Sequence, residues 1–204
     1  MKATPRKLAI PVLAVLGFLL VPRILMAQTR AIDTGHSEVR VYVSKAGLLS
    51  ALGDNHVVEA LISEGLVDEV ARNVKFVIDS RRVRVLDPQL SPDTRKQVQE
   101  RMLGPDVLDV ARFPEIRFES TGVEQTGPDR LLVRGQLSLH GQTHSVVVSV
   151  RTENGHYVGT SSFKQRDFGI TPVTIAGGTV KVKDEVKIEF DIRTNAQAAG
   201  VMSK

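Results

Sequence analysis

The amino-acid sequence predicts an all-β fold: an eight-stranded antiparallel β-barrel with one short cross-over helix, preceded by an N-terminal signal segment. Three observations carry this. Apolar residues recur at every second position in segment after segment, the pattern of strands with one dry face and one wet face. Turn signals of the hairpin type separate several of those segments. Only one stretch carries a full set of helix boundary signals. Eight strands in an open sheet would leave unpaired edges, and closure into a barrel removes them. A chain of 204 residues, 42% of them hydrophobic, is long enough for one such core and short for two.

Residues 1–27 place Lys2, Arg6 and Lys7 ahead of an apolar run from Leu8 to Pro22, the layout of a secretory signal peptide, with cleavage expected after Ala27. The run is shorter than the ~20 apolar residues of a spanning helix, and Pro11 and Gly17 interrupt it. A leader left uncleaved would instead anchor the protein to the membrane. The first strand carries Val39, Val41 and Val43, and a short turn around Leu48, Leu49 and Leu52 leads to a strand over 57–62. Val74, Phe76 and Ile78 mark the next. Ser91 can cap free amides, Pro92 suits a first helical turn and Gly104-Pro105 is a stop, so a helix spans about 92–103. Its Val98, Met102 and Leu103 are expected to face the sheet, with Gln99 among the residues facing water.

After Phe113-Pro114 the alternation resumes in Ile116, Phe118 and Ser120, then in Leu131 to Leu139, Val146 to Val150, Tyr157 to Phe163 and Val186 to Ile192. Hairpins are expected at Thr126-Gly127-Pro128-Asp129, Gly141-Gln142 and Asn154-Gly155. The run Thr174 to Gly178 reads as a lip, and residues 195–204 form a tail without pattern. Gly135 and Gly159 fall inside strands. They mark bulges, or bulges that also leave room inside the barrel.

Residues 1–27 hold four cations and no carboxylate, so the formal net charge of +4 falls to zero without them. A neutral domain with interspersed charges has no electrostatic footprint for nucleic acid. Without cysteine there is no disulfide framework, thiolate metal site or cysteine nucleophile. His36, His56, His140, His144 and His156 are the only nitrogen ligands available; His140 and His144 flank a turn instead of sharing a helix face, which argues against a zinc site. Ser37, His36 and Asp33 lie along one strand start and cannot form a relay, and neither a Gly-x-Ser-x-Gly elbow nor a phosphate loop is present. No enzymatic activity, catalytic residue, metal or cofactor is expected. The charge run Asp79, Arg81, Arg82, Arg84 reads as a solvated face.

Several motifs stand in a recognisable order: Asp33-x-x-His36-Ser37-x-Val39; Val107-Leu108-Asp109-Val110-x-x-Phe113-Pro114-x-Ile116-x-Phe118-x-Ser120; Leu132-x-x-Gly135-x-Leu137-x-Leu139-His140-Gly141-x-Thr143; Phe163 followed by Phe168-Gly169-Ile170; and Asp184-Glu185-Val186-x-Ile188. Together, over residues 31–194, they resemble the YceI-like family. The resemblance implies a lipocalin-like barrel of the bacterial periplasm whose lumen binds a polyisoprenoid or a similar amphiphile. The stretch from Gly47 to Ala60 resembles a variant of that family, so the head group does not carry over.

The expected function is therefore that of an exported, periplasmic or secreted binding protein for an apolar small molecule, with peripheral or leader-mediated membrane association. The alternative is a filled barrel that acts as a structural or stress-response protein. The lumen is expected to be lined by Val39, Val41, Val43, Phe76, Ile78, Phe118, Leu137, Val148, Phe163 and Ile188, with His36 and His56 at its mouth.

Overall fold

The computed structural model describes residues 29–46, 55–175 and 180–195. The signal segment, the turn around Leu48 to Leu52, most of the lip and all of the tail beyond Asn195 lie outside the described residues. Among the described residues twelve strand segments, in place of eight, build one curled antiparallel sheet: β1 (Thr29–Ala31), β2 (Glu38–Ala46), β3 (His56–Glu59), β4 (Ile62–Asp68), β5 (Asn73–Asp79), β6 (Arg84–Val85), β7 (Glu115–Gly127), β8 (Arg130–Leu139), β9 (Gln142–Glu153), β10 (His156–Lys164), β11 (Thr174–Ile175) and β12 (Val180–Ile192).

The excess over eight has a local cause. The strand expected over 57–62 is the meeting place of two, β3 and β4, which follow one another across Ala60-Leu61. β3 pairs with β2 and with the short β6, whereas β4 pairs with β1 and β5. From β5 the ladder runs through β7, β8, β9, β10 and β12 and returns to β2. Very short β1, β6 and β11 carry too few residues to show a period of two, which is why alternation missed them.

The single α-helix among the described residues, α1 (Pro92–Leu103), has the expected bounds, with the Ser91 hydroxyl accepting from the Thr94 amide at 3.2 Å. Val98 and Met102 pack on the core beside β6 as the pattern requires. Gln99 does not face water. Its side-chain amide donates to Val83 O and accepts from Val85 N, both at 2.7 Å, so it pairs with β6 as a strand residue would.

The connection from α1 to β7 is held from the opposite chain segment. Ser80 is buried; its hydroxyl donates to Phe113 O at 2.7 Å and its amide donates to Pro114 O at 2.9 Å. Pro114, which lacks an amide proton, sits just before β7 and removes no donor from the ladder. The β9–β10 turn falls at Asn154-Gly155, both with positive φ, as expected for a tight hairpin. The β8–β9 turn lies one residue earlier than the sequence suggests. His140 and Gly141 take the positive φ values of 51° and 74°, and His140 is held there because Nδ1 bonds Phe168 O at 3.1 Å while the ring packs edge-on against Phe113.

Candidate functional site

The inward faces of β2, β4, β5, β7, β8, β9, β10 and β12 surround a cavity of about 490 Å³, within the range of small-molecule sites. Its wall is aliphatic and aromatic. Nine of the ten residues expected to line a lumen border this cavity: Val39, Val41, Phe76, Ile78, Phe118, Leu137, Val148, Phe163 and Ile188. Val43 does not. It lies opposite His56 and Val186, one step beyond Val41, at a level where the β2 side of the cavity has ended.

The two strand glycines neither leave this space empty nor act as simple bulges. A Cβ on Gly135 would stand 2.5 Å from the Phe118 ring, and one on Gly159 would stand 2.5 Å from the Phe190 ring and collide with Ser149 O. Each glycine therefore accommodates an aromatic side chain from the next strand. The register of β7 on β8 does shift beside Gly135, between Ser120 and Gly122, so the bulge belongs to β7. Phe118 also stacks on Phe76 with ring centroids 5.3 Å apart.

Apart from Ser161 in the middle of β10, the polar lining residues collect at one end, where the β4–β5, β7–β8 and β9–β10 turns converge: Asp68, Glu69, Arg72, Asn73, Gln125 and Thr152, with Tyr157 just below. This is the mouth. The Tyr157 hydroxyl donates to Glu69 Oε1 at 2.6 Å, and Glu69 Oε2 receives Arg30 at 3.0 Å. Burial first, then the hydrogen bond to Glu69 and its negative charge, push the Tyr157 phenol up to about 12. Asp68 accepts from the Ala71 and Val70 amides and from the Thr29 hydroxyl, and these bonds hold its carboxyl below the ordinary carboxylate range, with the Ala71 amide the largest contributor.

Neither histidine expected at the mouth lines the cavity. His36 lies near the correct end, in the turn before β2, but its side chain is 72% exposed and its Nδ1 bonds Asp33 at 2.9 Å. His56 is at the opposite end. Its Nδ1 lies 2.5 Å from Oδ2 of Asp87, whose side chain is wholly buried and whose Oδ1 accepts from Val57 N at 2.8 Å. A buried carboxylate needs such partners, so His56 is spent on Asp87. The sequence signal for the true mouth was the polar turn Asp68 to Asn73. It escaped notice because polar turns occur at both ends of every β-barrel.

Comparison with known proteins follows this geometry. The YceI-like domain matches residues 31–194. The chain belongs to the YceI-like family. A UPF0312 protein of Shewanella denitrificans is 28% identical over 190 residues, covering 84% of this chain and 91% of that one. A UPF0312 protein of Pseudomonas savastanoi pv. phaseolicola is 41% identical over 76 residues, and the match spans only 39% of that relative's length. The crystal structure of Burkholderia cenocepacia BcnA shares the fold, with a TM-score of 0.54 at 19% identity over 79% of this chain and 98% of that one. The YceI-like fold of this chain is thus a curled antiparallel sheet with one α-helix among the described residues.

Proposed function

We propose that this YceI-like protein is an exported, non-enzymatic carrier. In this reading its sheet acts as a closed lipocalin-like barrel, continuous through the bend between β3 and β4, and its cavity holds one elongated apolar ligand of polyisoprenoid or lipid-like chemistry. The observation that carries the proposal is the cavity itself, about 490 Å³ with a mostly apolar wall and all but one of its polar lining residues, Ser161, gathered at one end. An amphiphile matches that division. Its chain buries apolar surface at roughly 25 cal/mol per Å², while its head stays among the polar groups of the mouth. Residues 1–27 are the export signal in this reading, and the protein works in the periplasm or outside the cell.

Native mass spectrometry of protein expressed with its leader and released gently from the periplasm tests the proposal. The expected result is an added mass that organic solvent removes and that fragments as an isoprenoid or a lipid. Phe118→Glu and Leu137→Glu, which put a charge into the wall, should abolish that mass while far-ultraviolet circular dichroism still reports a folded sheet. A clean protein mass after exposure to isoprenoid lipids would overturn the carrier reading in favour of a ligand-free structural barrel.

A further inference from the structure

The mouth holds two carboxylates and one guanidinium, but the three are not equally available. Asp68 Oδ1 takes the Val70 and Ala71 amides and Oδ2 takes the Thr29 hydroxyl. Glu69 spends one oxygen on Tyr157 and the other on Arg30. Both acids thus direct their short contacts back into the protein, where they build the β4–β5 turn and tie it to β1 and β10. Glu153, on the adjoining hairpin, is paired with Arg151 at 2.6 Å, and Asp129 at the tip of the β7–β8 turn lies outside the lining.

Arg72 differs on every count. It lines the mouth, is exposed, and has no hydrogen bond or ion pair to any of the described residues. Its backbone takes φ 51°, a left-handed conformation that is uncommon for a residue without a short polar side chain. The Asp68 carboxylate, which accepts from two amides of the same turn, holds the backbone in that shape. Beside it Asn73 and Gln125 each donate to a backbone carbonyl, Ser120 O and Pro128 O.

We infer that Arg72 selects the head group: the cavity takes amphiphiles whose apolar chain ends in a compact anion, a carboxylate or a phosphate, in preference to neutral or cationic heads of the same chain length. This rests on the carrier reading and adds to it the sign of the ligand's polar end. A guanidinium without an internal partner offers charge-assisted hydrogen bonds to such oxygens. A cationic head would meet Arg72 at the same place and find both neighbouring carboxylates already engaged.

The test is displacement of pyrene, a neutral apolar reporter, from the full mature chain. Competitors are palmitate, hexadecyl phosphate, hexadecanol and hexadecylamine, each kept below its aggregation concentration. Palmitate or hexadecyl phosphate should displace pyrene at roughly two- to fivefold lower concentration than hexadecanol, the size expected for an exposed charge contact, and hexadecylamine should be weakest. Whichever anion is the stronger names the head as carboxylate or phosphate. Arg72→Asn, which tolerates the left-handed backbone, should erase the preference, bringing the two anions to the concentration at which hexadecanol displaces, and Arg72→Lys should keep most of it.

Equal displacement by all four competitors would overturn the inference while the carrier reading stands. So would an Arg72→Asn protein that loses hexadecanol as much as palmitate, since Arg72 would then shape the turn and not read charge. Failure of pyrene and every competitor to bind would overturn the carrier reading and this inference together.

Discussion

The two ends of the curled sheet differ in what their polar side chains leave unbonded. At the end covered by α1, Asp87, Ser80, Gln99 and His140 each meet backbone groups that the strands leave unpaired: Val57 N, Phe113 O, Val83 O with Val85 N, and Phe168 O. At the mouth Asp68, Asn73 and Gln125 likewise meet backbone groups, but the side chains of Arg72 and Thr152 line the cavity with no hydrogen-bond partner among the described residues. A polar residue is therefore a functional candidate where its bonding capacity is left over, and a structural one where it is used up.

The sharpest way to break this contrast is Asp87→Ala. It removes the partner of both His56 and the Val57 amide from a wholly buried position. The expected loss is about 3 kcal/mol of stability, the cost of stranding buried polar groups, read as an earlier midpoint in urea unfolding. No ligand-dependent change beyond that loss is expected. Should Asp87→Ala instead keep its stability and alter ligand retention, the covered end would hold function after all.

Tyr157→Phe probes the mouth and should cost less, about 1 kcal/mol, because the bond to Glu69 is half exposed. Ligand exchange should quicken, since the tie between β10 and the β4–β5 turn is gone. A pH series sharpens the same point. The Tyr157 phenol is raised from 10.0 to about 12, so the folded protein holds a proton that the unfolded chain releases. Its contribution to stability is complete below pH 10.0 and is lost as pH rises towards about 12. Tyrosine absorbance during alkaline titration should show this delayed step in the parent protein and lack it in Tyr157→Phe.

The smallest effect belongs to Asp68. Its depressed carboxyl contributes stability above the ordinary carboxylate range, and that contribution is lost as pH falls through its lowered value. Protection of the Val70 and Ala71 amides, measured against the intrinsic exchange rate at each pH, should therefore fall in acid before the strands open. Protection that persists until global unfolding would mean that the turn does not depend on the carboxylate.

The sequence disclosed the wall better than the ends. Side chains at Val39, Phe76, Phe118 and Leu137 are placed by a period-two backbone, so a strand once recognised says which residues share a face. The α1 bounds were equally plain, because Ser91, Pro92 and Gly104 act within a few residues of themselves. His56 was misplaced for the converse reason. Its role is fixed by Asp87, 31 residues away, and no local pattern reports a partner at that separation. Gln99 failed in the same way: the helical pattern gave its direction as outward, but its amide reaches back to β6.

The gathering of polar lining groups at one end also bears on time. A chain held as proposed must leave lengthwise, re-exposing one methylene after another to water, each at about 0.8 kcal/mol. Dwell time would then lengthen about fourfold per carbon drawn out, so long chains would be kept far longer than their heads alone could hold them. For cargo held in that way, unaided escape would be slow. Handover would call for an acceptor that meets the tail at the mouth, and the Tyr157 to Glu69 contact is the first thing it would have to part.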